Sequence, residues 1–159
     1  MPDTSTIVDY QPQMRDPLVT LWRESFQHGV GALVPHSEED HRRFVDDTLV
    51  PDTTLQVALR DGALAGFVSF TPASVVQLYV GVPHLGKGIG TRLLNLAKER
   101  SAGSLWLYTF TSNTKAQRFY EHHGFEILER GFEPVMQLPD ILYGWRRHRL
   151  PPRGTRAGV

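Results

Sequence analysis

Near the N-terminus, apolar and polar residues alternate with the period of an α-helix. The predicted buried face has the spacing i, i+3, i+4, i+7 and i+8 and consists of Leu18, Leu21, Trp22, Ser25 and Phe26. Asp16-Pro17 predicts the N-cap and first position of this helix, and Gly29 predicts its end. A short apolar segment over 7–10 precedes the helix and predicts a first strand.

A second helix and a series of short strands are predicted after the first helix. Ser37 and Asp40 have the spacing of a helix N-cap pair, and Pro51 predicts the end of that helix. Asp61-Gly62 is a typical hairpin turn between two alternating segments. The segments with a strand pattern in this part of the chain are 55–59, 63–70 and 75–80. We therefore expect the first two of them to form an antiparallel pair.

The second half of the chain alternates helical and extended patterns. A helix is predicted from the apolar face formed by Ile89, Leu93, Leu96 and Ala97. A shorter helix, capped by Asn113 or Thr114 and ended by Gly124, is predicted from the face formed by Ala116, Phe119, Tyr120 and His123. Further strands are predicted over 105–110, 125–132 and 141–145. The order strand, helix, strand from position 75 onward favours a right-handed crossover and a parallel pair. The predicted fold class is therefore α/β with a mixed sheet.

Composition limits the function without selecting it. The 159 residues suit one domain, which we expect over 1–148, followed by a disordered basic tail over 149–159. The 17 Lys and Arg residues balance 17 Asp and Glu residues, so no net charge favours a nucleic acid or a membrane as a partner. The absence of cysteine excludes disulfides, thiolate metal sites and a covalent thiol intermediate on the protein. The sequence has no leader or membrane-spanning pattern, so we expect a soluble, cytoplasmic protein.

Three alternating glycines lie between the strand predicted over 75–80 and the helix that follows. This glycine segment consists of Leu85, Gly86, Lys87, Gly88, Ile89, Gly90 and Thr91. Glycines allow backbone N–H groups to converge, and the following helix contributes the positive end of its dipole. The segment lacks the spacing of a P-loop and of the dinucleotide-binding fingerprint. A site for another anionic cofactor and a plain strand-to-helix turn therefore remain open.

Together with a second segment, the glycine segment resembles the GNAT superfamily of acyl-CoA-dependent N-acyltransferases. The matching residues are Leu78-Tyr79-Val80, the glycine segment, Asn113, Ala116, Phe119-Tyr120-Glu121 and Gly124-Phe125. The resemblance extends over residues 5 to about 146 and includes the order of the elements. The family pattern is Gln or Arg, two residues, Gly, one residue, then Gly or Ala, where this chain has Leu85, Gly88 and Gly90. Leu85 departs from the pattern and is expected to weaken one side-chain contact, because backbone amides make most of the contacts to the pyrophosphate.

The resemblance implies a fold and a cofactor site. It implies a single-domain GNAT-like fold of about seven mostly antiparallel strands and about four helices, with a central pair of parallel strands that splay apart. Acetyl-CoA would enter this gap, with its pyrophosphate on the glycine segment and its pantetheine arm along the backbone of Leu78, Tyr79 and Val80. Asn113, Ala116 and Phe119 would also contact the cofactor, although Asn113 is equally consistent with a simple N-cap. Tyr120 matches the family tyrosine that protonates the departing thiolate, while its spacing alone is also typical of core packing.

The acceptor is expected to be a primary amine that attacks in its neutral form. An amine with a pKa near 10.4 is almost fully protonated at pH 7, so a positioned base would assist the reaction. Candidate bases lie in or beside the loop over 28–36 and are His28, His36, His41, Glu38, Glu39 and Asp40. Carboxylates at a helix N-terminus and solvated histidines are the structural alternative. The residues assigned to acceptor binding are His28, His36, Glu39 and Gln77.

No metal is expected, because the adjacent His122 and His123 point in different directions on a helix. The protein is therefore expected to be an N-acetyltransferase that moves an acetyl group from acetyl-CoA to a small-molecule or peptide amine. Transfer would occur by direct attack in a ternary complex, without nucleic acid or membrane partners, and a homodimer is compatible with this expectation. A non-catalytic acyl-CoA-binding or regulatory module remains open as an alternative, as does a nucleotide-binding domain.

Overall fold

The computed structural model describes residues 5–148, and the basic tail predicted over 149–159 lies outside the described residues. The first sheet has the strand order β1-β2-β3-β4, where the strands are Thr6–Asp9, Thr54–Arg60, Ala63–Phe70 and Val75–Val80. The second sheet has the order β5-β7-β6, where β5, β6 and β7 are Ser104–Phe110, Glu126–Glu133 and Leu138–Arg146. The helices within this range are α1 (Arg15–Val30), α2 (Glu38–Phe44), α3 (Ile89–Arg100) and α4 (Thr114–His122). The predicted α/β class with seven mostly antiparallel strands and four helices is confirmed.

The two sheets meet at β4 and β5, which run parallel but touch at one point. In the part of the chain that the structure describes, one parallel bridge joins Ser74 to Trp106. The Trp106 N–H donates a hydrogen bond to the Ala73 carbonyl at 3.0 Å. Beyond this bridge, no ladder joins β4 to β5 within residues 5–148, and a gap separates the two strands. The predicted splayed parallel pair is confirmed.

Helix α1 starts earlier and ends later than its sequence predicts. A 3-10 turn (Pro12–Met14) leads directly into α1, so Asp16 and Pro17 lie inside the first helical turn rather than at the N-cap and first position. Pro17 is tolerated there because the first N–H groups of a helix have no partner within the helix. At the other end, Gly31 adopts φ 77° and terminates the helix two residues after Gly29.

Helix α2 begins as predicted but does not end as predicted. The Asp40 N–H donates to Ser37 Oγ and the Ser37 N–H donates to the Asp40 carboxylate, both at 3.1 Å. A π-helical segment (Val45–Leu49) and a final turn (Val50–Asp52) then carry the helix past Pro51. The wider π-helical turn displaces the carbonyls that would otherwise clash with the proline ring, so Pro51 does not stop the helix.

Buried side chains form two clusters, one on each face of the first sheet. Because successive strand residues point to opposite faces, Val57 and Phe67 pack with α1, whereas Ala58 and Val68 pack with α3. Tyr120 of α4 belongs to the cluster on the α3 side. This packing on both faces fixes β3 and therefore the position of β4, which borders the gap. Within residues 5–148, no helix combines the length and apolar character needed to cross a membrane.

Candidate active site

A cleft of about 780 Å³ occupies the gap between β4 and β5. Along the gap it is lined by residues of β4, β5 and α4, which include Gln77, Leu78, Tyr79, Tyr108, Asn113, Ala116 and Tyr120. One wall farther out is formed by α1, the loop after it and α2, and includes Trp22, His36 and His41. The opposite wall is formed by β6 and β7 and includes Glu129, Glu133 and Asp140. The cleft thus joins a backbone-lined gap to a more polar mouth.

The register of β3 and β4 directs the backbone groups of Leu78 into this gap. The Gly81 N–H donates to the Ala65 carbonyl at 2.8 Å, so these two residues form a hydrogen-bonded pair of the antiparallel ladder. Such pairs alternate with pairs whose N–H and C=O groups point away from each other. Leu78, which lies opposite Val68, belongs to the second kind. Its N–H and carbonyl therefore point toward β5.

The same alternation applies on the other side of the gap. The Arg147 N–H donates to the Gly103 carbonyl at 2.8 Å, which directs the backbone groups of Tyr108 away from β7 and toward β4. Farther along β4, the Ser25 hydroxyl of α1 donates to the Val80 carbonyl at 3.0 Å and so closes that end of the strand edge. The gap is thus bordered by two strand edges that can pair with an extended, amide-containing chain.

The glycine segment forms an open cradle at the N-terminus of α3. Gly86 and Gly88 have φ values of 75° and 82°, and residues with a Cβ rarely adopt this backbone conformation. No atom lies within 4 Å of a Cβ built on either glycine, so the space beside them is open. Gly88 is the N-cap of α3, and no side chain caps this end of the helix. The first amides of α3 and the dipole of the helix are therefore arranged to bind phosphate, which fits the pyrophosphate of CoA.

Close packing positions the rest of the glycine segment. A Cβ on Gly90 would lie 3.4 Å from the Phe119 ring, so α3 and α4 are in van der Waals contact at this position. Thr91 Oγ1 lies 3.1 Å from His123 Nε2, which links the same two helices. Leu85 and Lys87 are exposed, and Leu85 does not contribute a polar group to the cradle. Binding of an anion here would therefore rest mainly on backbone amides.

Tyr120 combines a position in the core with access to the cleft. Its side chain is 8% exposed and packs against Phe125 and Tyr143, with ring centroids 5.5 and 6.2 Å apart. Burial, followed by the neighbouring Tyr79 hydroxyl, raises the pKa of Tyr120. Burial also raises the pKa of Tyr79 to about 12, against the opposing effect of a hydrogen bond with Trp22. Both phenols are therefore protonated at neutral pH and can donate a proton.

Asn113 caps α4 and also lines the cleft. Its Oδ1 accepts a hydrogen bond from the Ala116 N–H at 3.1 Å, which confirms the N-cap. Its Nδ2 lies against α1, where a Cβ on Gly29 would be only 2.7 Å away. The capping bond engages the side-chain oxygen, so contact with a cofactor would have to come from the Nδ2 group.

The residues that the sequence assigned to the acceptor do not all reach the cleft. His36 and Gln77 line it, as predicted residues of such a site would. His28 lies exposed in the last turn of α1, outside the lining of the cleft. Glu39 also lies outside the lining, and its carboxylate is 3.4 Å from Arg42 Nη1. Of the cofactor residues assigned from the sequence, Val80 and Phe119 are partly buried against the core and lie outside the lining of the cleft.

His41 is buried in the wall of the cleft formed by α1 and α2. Its side chain is 7% exposed, and its ring centroid lies 4.4 Å from that of Trp22. Burial, followed by the positive charges of Arg23 and His36, lowers the pKa of His41 to about 4. The imidazole is therefore neutral at physiological pH. The sequence places His41 near the loop over 28–36 but gives no sign of its contact with α1, which depends on tertiary packing.

The opposite wall of the cleft is acidic, a feature that the sequence analysis missed. Burial, followed by the charges of Glu133 and Glu129, raises the pKa of Asp140. Glu133 is held in place by the Met136 N–H, which donates to its carboxylate at 2.5 Å. Glu129, Gly131 and Glu133 lie at alternate positions of the sequence, and this spacing could have indicated a common strand face. The partner strand that brings Asp140 beside them could not be inferred from that spacing alone.

The fold and the cleft define an acyltransferase architecture, and the comparisons identify the family. Residues 15–125 match the profile of the acetyltransferase (GNAT) family, and the chain belongs to this family. Over 129 residues, which cover 80% of this chain and 88% of the relative, it is 27% identical to the peptidyl-lysine N-acetyltransferase YiaC of Escherichia coli (strain K12).

Solved structures that carry the acetyltransferase name have the same fold. PaiA N-acetyltransferase from Thermoplasma acidophilum, in complex with coenzyme A, is 19% identical and superimposes with a TM-score of 0.67 over 90% of this chain and 99% of that chain. YncA from Salmonella typhimurium, with its cofactor acetyl-CoA, is 15% identical and has a TM-score of 0.70 over 96% of this chain and 100% of that chain. These structures support the fold assignment.

Proposed function

We propose that the protein is an N-acetyltransferase that moves an acetyl group from acetyl-CoA to a primary amine by direct attack in a ternary complex. The observation that carries the proposal is the continuity of the cleft. It joins the gap between β4 and β5, with Tyr120 beside it, to a mouth with acidic side chains. The family membership supports the same reaction class.

The glycine segment and the strand edges would hold the two ends of the donor. The amides at the start of α3 bind the pyrophosphate, because the space beside Gly86 and Gly88 is open and no side chain caps this helix end. The carbonyl of Leu78 accepts a hydrogen bond from an amide N–H of the pantetheine arm. The Leu78 N–H is then available to stabilise negative charge on the thioester oxygen. Acetyl-CoA supplies the activated acetyl group as a thioester.

Tyr120 would supply the proton for the leaving group. Its raised pKa keeps the phenol protonated, and its Oη is the proton donor that we assign to the departing thiolate. A buried phenol in a site from which water is largely excluded interacts strongly with a developing charge nearby. Tyr120 is then both a packing residue of α4 and a catalytic residue.

The acidic wall supports a cationic amine as the acceptor. Glu129, Glu133 and Asp140 line the mouth of the cleft, and an ammonium group that binds there must lose a proton before it attacks. Burial, followed by the charges of Glu133 and Glu129, raises the pKa of Asp140, and we assign its carboxylate as the group that accepts this proton. The similarity to a peptidyl-lysine N-acetyltransferase makes a lysine side chain the first acceptor to test.

The proposal is tested by measuring CoA release from acetyl-CoA with a panel of amines that includes a lysine peptide, free amino acids and polyamines. We expect thiol release that requires both acetyl-CoA and an amine. In parallel, CoA at concentrations well above micromolar should raise the melting temperature. Stabilisation by CoA without thiol release for any amine would instead identify a non-catalytic acyl-CoA-binding module. Neither stabilisation nor release would contradict the assignment of the cleft.

A further inference from the structure

The imidazole of His41 is held in one tautomer by a residue outside the cleft. Arg23 Nη1 lies 3.0 Å from His41 Nδ1. A guanidinium is only a donor, so Nδ1 must be the acceptor of this hydrogen bond and carries no proton. The proton of the neutral ring is therefore on Nε2. Arg23 is itself fixed, because the same Nη1 donates to the His36 carbonyl at 2.5 Å.

This arrangement makes His41 a hydrogen-bond donor and not a base. Its only basic lone pair is engaged by Arg23, so the ring has no free nitrogen to accept a proton from an amine. The ring is fixed against Trp22, and His41 forms part of the lining of the cleft. No group among residues 5–148 forms a hydrogen bond with Nε2. A fixed N–H on a side chain that is 93% buried is thus available to a molecule in the cleft.

We propose that His41 is a specificity-determining residue, whose Nε2–H donates a hydrogen bond to an oxygen of the acceptor while the acceptor amine is bound on the acidic wall. The proposal rests on the proposed function, since it concerns the acceptor of that reaction. The acceptor would then combine a primary amine with a carbonyl or carboxylate oxygen. A lysine residue in a peptide and a free amino acid both have this combination, whereas a simple alkylamine or polyamine lacks the oxygen.

Three acceptors with the same primary amine separate these cases. Nα-acetyl-lysine methylamide has carbonyl oxygens and no carboxylate, Nα-acetyl-lysine has a carboxylate, and n-pentylamine has neither. We expect the wild-type protein to have a kcat/KM for at least one lysine derivative about tenfold above that for n-pentylamine. A preference for the methylamide would indicate a peptide carbonyl as the partner of His41. A preference for the free acid would indicate a carboxylate.

Variants at His41 separate recognition from packing. H41F keeps a ring against Trp22 but removes the donor, and H41Q restores an N–H near the position of Nε2. H41F should reduce the preference for the better lysine derivative about tenfold, mainly through KM, and H41Q should recover most of it. His148, an exposed histidine outside the cleft lining, provides the matched control H148F, which should keep the wild-type preference.

Two results would overturn the proposal: equal loss of kcat/KM for all three acceptors in H41F, or a wild type without preference for an oxygen-bearing acceptor. Titration calorimetry of the methylamide and the free acid into the CoA complex separates this failure from failure of the proposed function. If H41F weakens binding of the lysine derivatives but no amine is acetylated, acetyl transfer is refuted and the role of His41 in binding the acceptor is retained. Turnover without the preference would refute the role of His41 alone.

Discussion

At the scale of single residues, Tyr120 packs in the core and is also the side chain to which we assign the proton donor. It contacts Phe125 and Tyr143 in the core and also lines the cleft. The apolar environment that packs the ring is the same environment that raises the pKa of its hydroxyl. A phenylalanine at this position would keep the packing and remove only the proton donor.

We therefore expect Tyr120→Phe to lower kcat by about 10²-fold or more, because protonation of the leaving thiolate is lost. The affinity for CoA, measured by titration calorimetry, should stay close to that of the wild type. A proportional loss of kcat and of CoA affinity would assign Tyr120 a purely structural role.

The lowered pKa of His41 predicts that the stability of the protein depends on pH. Folding lowers the pKa of His41 from 6.5 to about 4, so between these values the unfolded chain binds the proton more readily than the folded chain. The contribution of neutral His41 to the free energy of unfolding is therefore complete above about pH 6.5 and is lost as the pH falls toward 4. Burial, followed by the charges of Arg23 and His36, lowers this pKa, whereas the charge of Asp40 raises it.

His41→Phe should remove this dependence, which amounts to up to about 3 kcal/mol of unfolding free energy between pH 7 and pH 4. Urea unfolding of both proteins at several pH values in this range measures it. The control is the difference between the two proteins at each pH, since the other titrating groups are common to both. Parallel pH dependences would show that His41 binds protons equally in the folded and unfolded chain.

At the scale of elements, the glycine segment and α3 act as one unit. Gly88 ends the loop with φ 82° and starts the helix without a side-chain cap. An added Cβ would strain this backbone conformation by about 1 kcal/mol. Gly62, in the hairpin between β2 and β3, has φ 78° and open space around it. A Cβ added to Gly62 would therefore cause the same backbone strain at a position away from the cleft.

Gly88→Ala and Gly62→Ala should therefore lose similar stability, about 1 kcal/mol each. Only Gly88→Ala should also reduce the stabilisation that CoA provides, because the strained loop would displace the amides of the cradle. Thermal unfolding with and without CoA measures both effects. Equal stabilisation by CoA in the two variants would place the pyrophosphate elsewhere.

The ends of helices and strands could be predicted only where they depend on residues that are close together in the sequence. The capping box of Ser37 and Asp40 and the turn at Asp61-Gly62 depend on neighbouring residues, and the structure contains both. The predicted end of α2 was wrong. Pro51 is a local stop signal in the sequence, but the helix continues past it because a π-helical turn precedes the proline.

At the scale of the whole molecule, the separation of β4 and β5 determines what the cleft can bind. The order of the elements and the family resemblance were sufficient to predict the splayed pair and the glycine segment at its end. The two walls of the mouth were not predictable in this way. Asp140 meets Glu129 and Glu133 only through the pairing of β6 with β7, and His41 meets Arg23 only through the packing of α2 on α1. Such contacts depend on tertiary structure, which the spacing of residues in the sequence does not contain.

Mass spectrometry of one reaction tests the central claim most directly. The wild-type protein is incubated with acetyl-CoA, with and without a lysine peptide, and the masses of protein and peptide are measured. Direct attack in the cleft predicts one acetyl group on the amine of the peptide, released CoA in equal amount, and an unmodified protein when the peptide is absent. An unmodified peptide at saturating acetyl-CoA, or an acetyl group that first appears on the protein and is then passed to the peptide, would contradict the account.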